Sequence, residues 1–428
     1  MDSHPTKKQS WFGWCMYDWA NSAFATVILS AVLPIYFVSL VPDEGAVISL
    51  FGFRHTFRAT SLWGYAVSFS MLIVAVTSPY LGNLADRWSI HRKFLIVYCL
   101  IGSLCTSMLF FATPGRYLFA LILFIISNIG FAGGNVFYNA FLPKLAQPNE
   151  LDRLSSRGFA FGYIGGGIAL LLAFGFIQGY AFLGFADKGA ASRAGFLMTG
   201  IWWIIFAFPS YRYVRVPASP IKVDELHRGI RDYFKIFAEL KKYPSLLLFL
   251  VAFLFYNDGI QTIIVVAAIF AREELALSQG TILSCFLMIQ FVAMPGTLLF
   301  GRLAEVYGAK RSIYLALILF IMVTIYAYFI NTSLEFWILG FVIAIILGGS
   351  QAVSRSFFST LIPEGKHAEF FGFYAISAKF ASVFGPLMFA IIIDITGSAR
   401  LSILALTFFF IVGILLLTRV NTAKEVTS

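Results

Sequence analysis

The feature that most constrains this chain is a succession of long, nearly charge-free apolar runs joined by short polar connectors. The hydrocarbon core of a bilayer is about 30 Å thick and takes about 20 apolar residues of helix to cross. On that measure the 428 residues hold runs at 14–40, 61–81, 94–112, 117–139, 159–184 and 194–214, then at 244–270, 281–300, 312–330, 335–360, 370–394 and 399–418. Lipid offers no partner to a bare N–H or C=O, so each run must close its own hydrogen bonds as a helix. The predicted fold class is an all-α membrane protein of twelve transmembrane helices. Its N-terminal six-helix bundle covers 1–214, a linker covers 215–243, and a C-terminal six-helix bundle covers 244–428.

Composition points the same way, with 59% hydrophobic and 12% charged residues against about 25% charged in soluble domains. The net charge of +10 does not call for nucleic acid, because the basic residues sit in short clusters between apolar runs. Of the 31 Lys and Arg, Arg54, Arg58, Arg116, Lys188, Arg193, Arg272 and Arg400 fall on odd-numbered connectors. Arg355 and Lys379 lie inside spans, and the other 22 lie on even-numbered connectors, the termini or the linker, counting with the linker Arg212 at the very end of the sixth run. That bias orients both termini and the linker towards the cytoplasm of a multi-pass protein in the plasma (inner) membrane. In the linker, Leu226, Ile230, Tyr233, Phe237 and Leu240 line one helix face opposite Arg228, Arg231, Lys235, Lys241 and Lys242, the pattern of a helix lying on the membrane surface. Cys15, Cys99, Cys105 and Cys285 all fall in apolar segments, so free buried thiols are expected rather than disulfides or a metal site. The apolar run from Trp11 to Leu40 is too long for a cleaved signal peptide.

The two halves repeat each other. GNLADRWSIHRK at 82–93 and GRLAEVYGAKR at 301–311 pair Gly82, Asp86 and Arg92 with Gly301, Glu305 and Arg311 at an offset of 219. FYNAFLP at 137–143 matches FFSTLIP at 357–363, and Gly165 matches Gly385, both at 220. Connector 1–2 is longer than its counterpart, which breaks the register upstream. Six spans duplicated in the same orientation imply two bundles related by an axis along the membrane normal, with a solute site between them near mid-membrane. That is the plan of a carrier. In the repeated connector, Gly82 and Gly301 permit close approach of helix ends, while Asp86 and Glu305, with Arg87 beside the first, are suited to a conformational latch against helix ends and basic groups.

These residues also carry a family resemblance. GxxxDR followed by basic residues resembles the connector 2–3 signature of the major facilitator superfamily, with a degenerate copy in connector 8–9. WCMYDWANSAFATVILSAVLPIYF (14–37), FYNAFLP with GYIGGG (162–167), FYNDGIQTII (255–264), GGSQAVSRSFFSTLIPE (348–364) and EFFGFYAISAKF (369–380) look like the vacuole-effluxer family related to an autophagy protein. The resemblance runs from about Trp14 to Leu417 and implies a uniporter, symporter or antiporter, the fungal relatives being credited with export of amino acids from the vacuole. Span 4 has no Arg, where many proton antiporters of the superfamily carry one, so antiport by that route is not expected here.

Charges inside a bilayer cost about 2.5–3.5 kcal/mol each on insertion scales, so each needs a reason. Asp258 sits mid-span 7 with Asn257 and Gln261, and suits a protonatable coupling group, a substrate contact or a structural ion pair. Asp18, with Asn21 one turn on, lies on the equivalent span 1. Arg355 on span 10 falls, at offset 220, on Asn135 of span 4, and Lys379 of span 11 is a candidate partner for Asp258. Asn139 and Gln351 add hydrogen-bonding capacity, whose commoner use is to join helices. The expected substrate is a small zwitterion such as an amino acid or a related metabolite, exported by alternating access with protons as the candidate coupling ion. A lipid or lysolipid is the alternative, suggested by 48 Phe residues. No cofactor, metal or nucleic acid is called for, and a monomer is expected. An intramembrane enzyme is disfavoured because neither HExxH nor GxSxG occurs.

Overall fold

The computed structural model describes residues 5–50, 53–147, 150–214, 241–362 and 382–421, with isolated positions at 374, 377 and 378. Among them, eleven helices are long and apolar enough to cross a membrane, and a shorter apolar twelfth completes the set. In chain order they are α1 (Lys7–Leu40), α2 (Ala59–Trp88), α3 (His91–Met108), α4 (Tyr117–Leu145), α5 (Leu151–Gln178), α6 (Lys188–Tyr213), α7 (Pro244–Glu273), α8 (Gln279–Tyr307), α9 (Ala309–Phe329), α10 (Ser333–Leu361), α11 (Phe384–Thr396) and α12 (Ala399–Thr418). The all-α membrane fold of twelve transmembrane helices is thus realised. The chain resolves into two compact units, Met1–His227 with Ser278–Leu283, and Arg228–Leu277 with Ser284–Ser428. The amphipathic pattern in the linker falls almost wholly on residues outside the described set.

Helix starts follow local chemistry. Thr6 and Gln9 form a capping box on α1, and Thr332 and Glu335 form one on α10. Asp187 accepts the Ala190 N–H at 2.6 Å to start α6. Each arrangement satisfies donors that a helix N-terminus otherwise leaves bare. Within α1 the stretch Phe24–Ala31 is π-helical, with the Val32 N–H reaching Val27 O, five residues back. Pro34 follows closely and lacks the N–H that an α-helical ladder would need there.

Helices meet in each unit through small residues, as lipid-embedded packing favours. In the first unit, a Cβ on Gly130 would come within 2.5 Å of Gly102 Cα, so α3 and α4 touch backbone to backbone. In the second, a Cβ on Gly296 of α8 would come within 2.6 Å of Ile345 Cα on α10.

Two differences from the sequence reading stand out. The GNLADRW and GRLAEVY motifs are not loops: they form the last two turns of α2 and α8. Both hold helix-forming Leu, Ala and acidic residues, so the helix runs on until a left-handed residue stops it. That residue is Ser89 (φ 52°) after α2 and Gly308 (φ 93°) after α8, again 219 positions apart. Secondly, the extra length of connector 1–2 holds a β-hairpin, with Ala46–Leu50 (β1) pairing antiparallel to Phe53–Phe57 (β2).

Candidate functional site

In the first unit the polar residues of α1 meet α4 and α5. Tyr138 on α4 donates its hydroxyl to Asp18 Oδ2 at 2.7 Å. Its ring stacks on Trp14 at 4.5 Å, and the Trp14 indole N–H donates to Tyr138 O. One turn further, Asn21 donates to Asn135 Oδ1 at 2.7 Å, joining α1 to α4 side chain to side chain. The α5 side of this cluster is glycine. A Cβ at Gly158 would come within 2.5 Å of Asp18 Oδ2, at Gly162 within 2.7 Å of Ser22 Oγ, and at Gly165 within 2.5 Å of Trp19 O. Asn139 is exposed and stands apart from this cluster.

In the second unit Asp258 is fully buried. Its Oδ1 accepts the Gly385 backbone N–H at 2.9 Å. Its Oδ2 is buried with no hydrogen-bond partner among the described residues. Thr262, one turn on, donates to Asp258 O at 2.7 Å, and its hydroxyl closes against Gly385. Gly385 is thus forced to be glycine by contact, since a Cβ there would lie 2.8 Å from Asp258 Oδ1 and 3.0 Å from Asp258 O. Asn257 is buried beside it, whereas Gln261 is only partly buried.

Towards α10, Tyr256 donates its hydroxyl to Ser354 Oγ at 2.7 Å. Arg355 and Gln351 are half-buried on the same helix, and the Arg355 charge is felt at Tyr374. Tyr374 in turn stacks on Phe253 at 4.3 Å and Phe358 at 5.0 Å. Lys379 lies outside the described residues, so its pairing with Asp258 stays an expectation.

Of the residues nominated for a latch, the side chains of Asp86 and Arg87 are outside the described set. Gly82 is half-buried near the end of α2. Gly301 has open space where a Cβ would be, so helix crowding does not require glycine there, and Glu305 is exposed.

The residue pattern missed the partners rather than the acids. Tyr138, Thr262, Ser354 and Gly385 complete the clusters, and a second offset would have found some of them. Shifting α1 by 240 places Asp18, Asn21 and Ser22 on Asp258, Gln261 and Thr262. The acid and the hydroxyl one turn later are both retained, which a search restricted to offsets near 220 does not reveal.

The vacuole effluxer Atg22-like family matches residues 6–427. The chain belongs to that family. A curated relative, described as an uncharacterized MFS-type transporter, YxiO, of Bacillus subtilis, is 34% identical over 420 residues, covering 96% of this chain and 94% of that protein. Autophagy-related protein 22 of Coccidioides immitis is 24% identical, covering 93% and 84%. Among solved structures, a bacterial homologue of the human lysosomal transporter Spinster superposes with a TM-score of 0.67 at 16% identity, over 97% of each chain. That likeness carries the fold, the major facilitator arrangement. Family and fold together make this vacuole-effluxer relative a secondary transporter of the major facilitator type and not an enzyme.

Proposed function

We propose that this transporter exports amino acids or closely related small zwitterions by alternating access, and that Asp258 carries the coupling proton. It would reside in the plasma membrane with both termini in the cytoplasm, as the Lys and Arg bias favours. The observation that carries the reading is the Asp258 carboxyl group, sealed mid-span with one oxygen on a single backbone N–H and the other unpaired. A charge in such a place is expensive and is retained where it works. A carboxyl that exchanges a proton during transport meets that description, because its charge need not persist through the cycle. The family description supports the efflux direction, and the resemblance of the motifs supports the amino-acid substrate.

The test uses purified protein in proteoliposomes, with a mixture of labelled amino acids and an imposed pH gradient. Asp258→Asn is expected to abolish gradient-driven movement while leaving equilibrium exchange of the same label within about twofold of wild type. Unchanged gradient-driven flux would remove Asp258 from the coupling role.

A second reading has its own observation. A narrow apolar crevice of about 30 Å³ lies within the second unit, lined by Ile263, Val266, Phe270, Val323, Leu339 and Ile343. Its lining suits an acyl chain better than a zwitterion. Movement of a labelled lysophospholipid in the same vesicles, with no amino-acid transport, would favour it.

A further inference from the structure

Span 11 does not run on as its counterpart does. Helix α5 continues through Gly165 and Gly166 without a break. The corresponding positions, at offset 220, are Gly385 and Pro386, and there α11 begins afresh at Phe384 after turn residues 382 and 383. Pro386 explains the restart. It has no N–H to donate backwards and its ring is tolerated only in the first turn of a helix. The new helix start then has donors to satisfy, and Val383 at the cap position supplies no side-chain bond.

Asp258 of α7 supplies it. The Gly385 N–H donates to Oδ1 at 2.9 Å. A backbone donor at the positive end of a helix is a setting that prefers an anion. The other carboxyl oxygen is buried and empty-handed, so the group has no alternative acceptor duty among the described residues. No charged side chain among them acts on it. On α10 the nearby cation is Arg355, which acts on Tyr374. The acid of α11 itself, Asp394, lies at that helix's far end, and the part of α12 packed here offers Phe409 and Phe410. Tyr256 on α7 turns its hydroxyl to Ser354. Lys379 is outside the described residues.

We infer that α11 is the element that reads the protonation state of Asp258: the ionised carboxylate caps and docks the helix start, and the neutral acid releases it. This rests on the proposed coupling role of Asp258 and gives it a moving part. A charged acceptor makes hydrogen bonds roughly twice as strong as a neutral one, so loss of the charge weakens the bond that holds the helix start. The buried Oδ2, where a proton would sit, meets no hydrogen-bond partner among the described residues. Because binding of the proton and release of the helix are linked, each promotes the other. In the first unit α5 is continuous beside Asp18, which accepts from the Tyr138 hydroxyl.

The test is amide hydrogen exchange of full-length protein in lipid nanodiscs, followed on peptides covering 384–396 between pH 5 and pH 9, with rates corrected for intrinsic exchange. Wild type is expected to lose protection in the first turn of α11 at the acid end, by about tenfold, the size of a helix cap. Asp258→Asn should show the unprotected rate at every pH, and Asp394→Asn should behave as wild type. A wild-type rate independent of pH would overturn the inference without reference to any variant, and so would a persistent pH dependence in a folded Asp258→Asn protein. Exchange needs no transported solute. The proton-coupling assignment can therefore fail in the vesicle assay while the helix reading stands, and the reverse.

Discussion

Asp18 and Asp258 occupy equivalent turns of α1 and α7, each followed four residues later by a hydroxyl side chain and faced by glycine on the fifth helix of its unit. From that shared plan they are built differently. Asp18 is partly exposed and accepts from a side chain, Tyr138, whose ring is itself held by Trp14. Asp258 is wholly buried and accepts from backbone at a helix start. A phenol can swing away and water can take its place at modest cost. A backbone N–H cannot leave without its helix. The Asp18 carboxylate meets a side chain and the Asp258 carboxylate a helix start, and Pro386, where the first unit has Gly166, sits in the first turn of that helix.

The strongest way to break this comparison is to crowd the two glycines that flank the acids. Gly165→Ala puts a Cβ 2.5 Å from Trp19 O, and Gly385→Ala puts one against the Thr262 hydroxyl and 3.0 Å from Asp258 O. Backbone must shift in both, at a cost of about 1–3 kcal/mol, read as a lowered midpoint of thermal unfolding in detergent. If Gly385→Ala melts as wild type does, the tight seat of α11 on α7 is wrong.

A smaller effect is expected where the units differ by one hydroxyl. Tyr256 bonds Ser354, whereas Tyr17, one position out of the 240 register, buries its hydroxyl against Gly134 with no hydrogen bond of good geometry among the described residues. Gly134 and Ser354 are 220 positions apart. Ser354→Gly should cost about 1–2 kcal/mol by stranding a buried phenol. Gly134→Ser should also destabilise, because its Cβ would lie 2.5 Å from the Tyr17 hydroxyl oxygen. A stabilised Gly134→Ser protein would mean the two tyrosine sites are interchangeable, and the contrast between units would lose one of its supports.

The smallest effect concerns the pair found only in the first unit. A double-mutant cycle on Asn21 and Asn135, each changed to Ala, should give a coupling energy of about 0.6 kcal/mol and not more than about 1.7, the range of interhelical bonds in membranes. Zero coupling would reduce the contact to proximity.

How much of this could be read in advance depends on what each part is made of. Helix number and type followed from unbroken apolar length, because lipid allows the backbone no other way to satisfy itself. Helix ends were less legible. The α2 and α8 motifs are polar enough to look like loops, yet their stops are set by one left-handed residue each, Ser89 and Gly308, rather than by hydropathy. The hairpin at 46–57 is hidden in a connector too short to show a pattern. The acids at 18 and 258 stood out because charge is rare in a span. Their partners did not, since Tyr138 is one aromatic among many and Gly385 donates through a backbone N–H that every residue but proline has. Three-dimensional neighbours chosen for their backbone leave no chemical label in a sequence.

The π-helical stretch at Phe24–Ala31 has a practical consequence for anyone transferring results between the units. A wider turn advances the side chains by a smaller angle per residue than an α-helix does, and α7 contains no such stretch. Up to Ala23 the numbering of one helix maps onto the faces of the other by simple addition. Beyond it the faces drift out of phase, so a scanning substitution copied from the C-terminal half of α7 to α1 by arithmetic would land on the wrong wall.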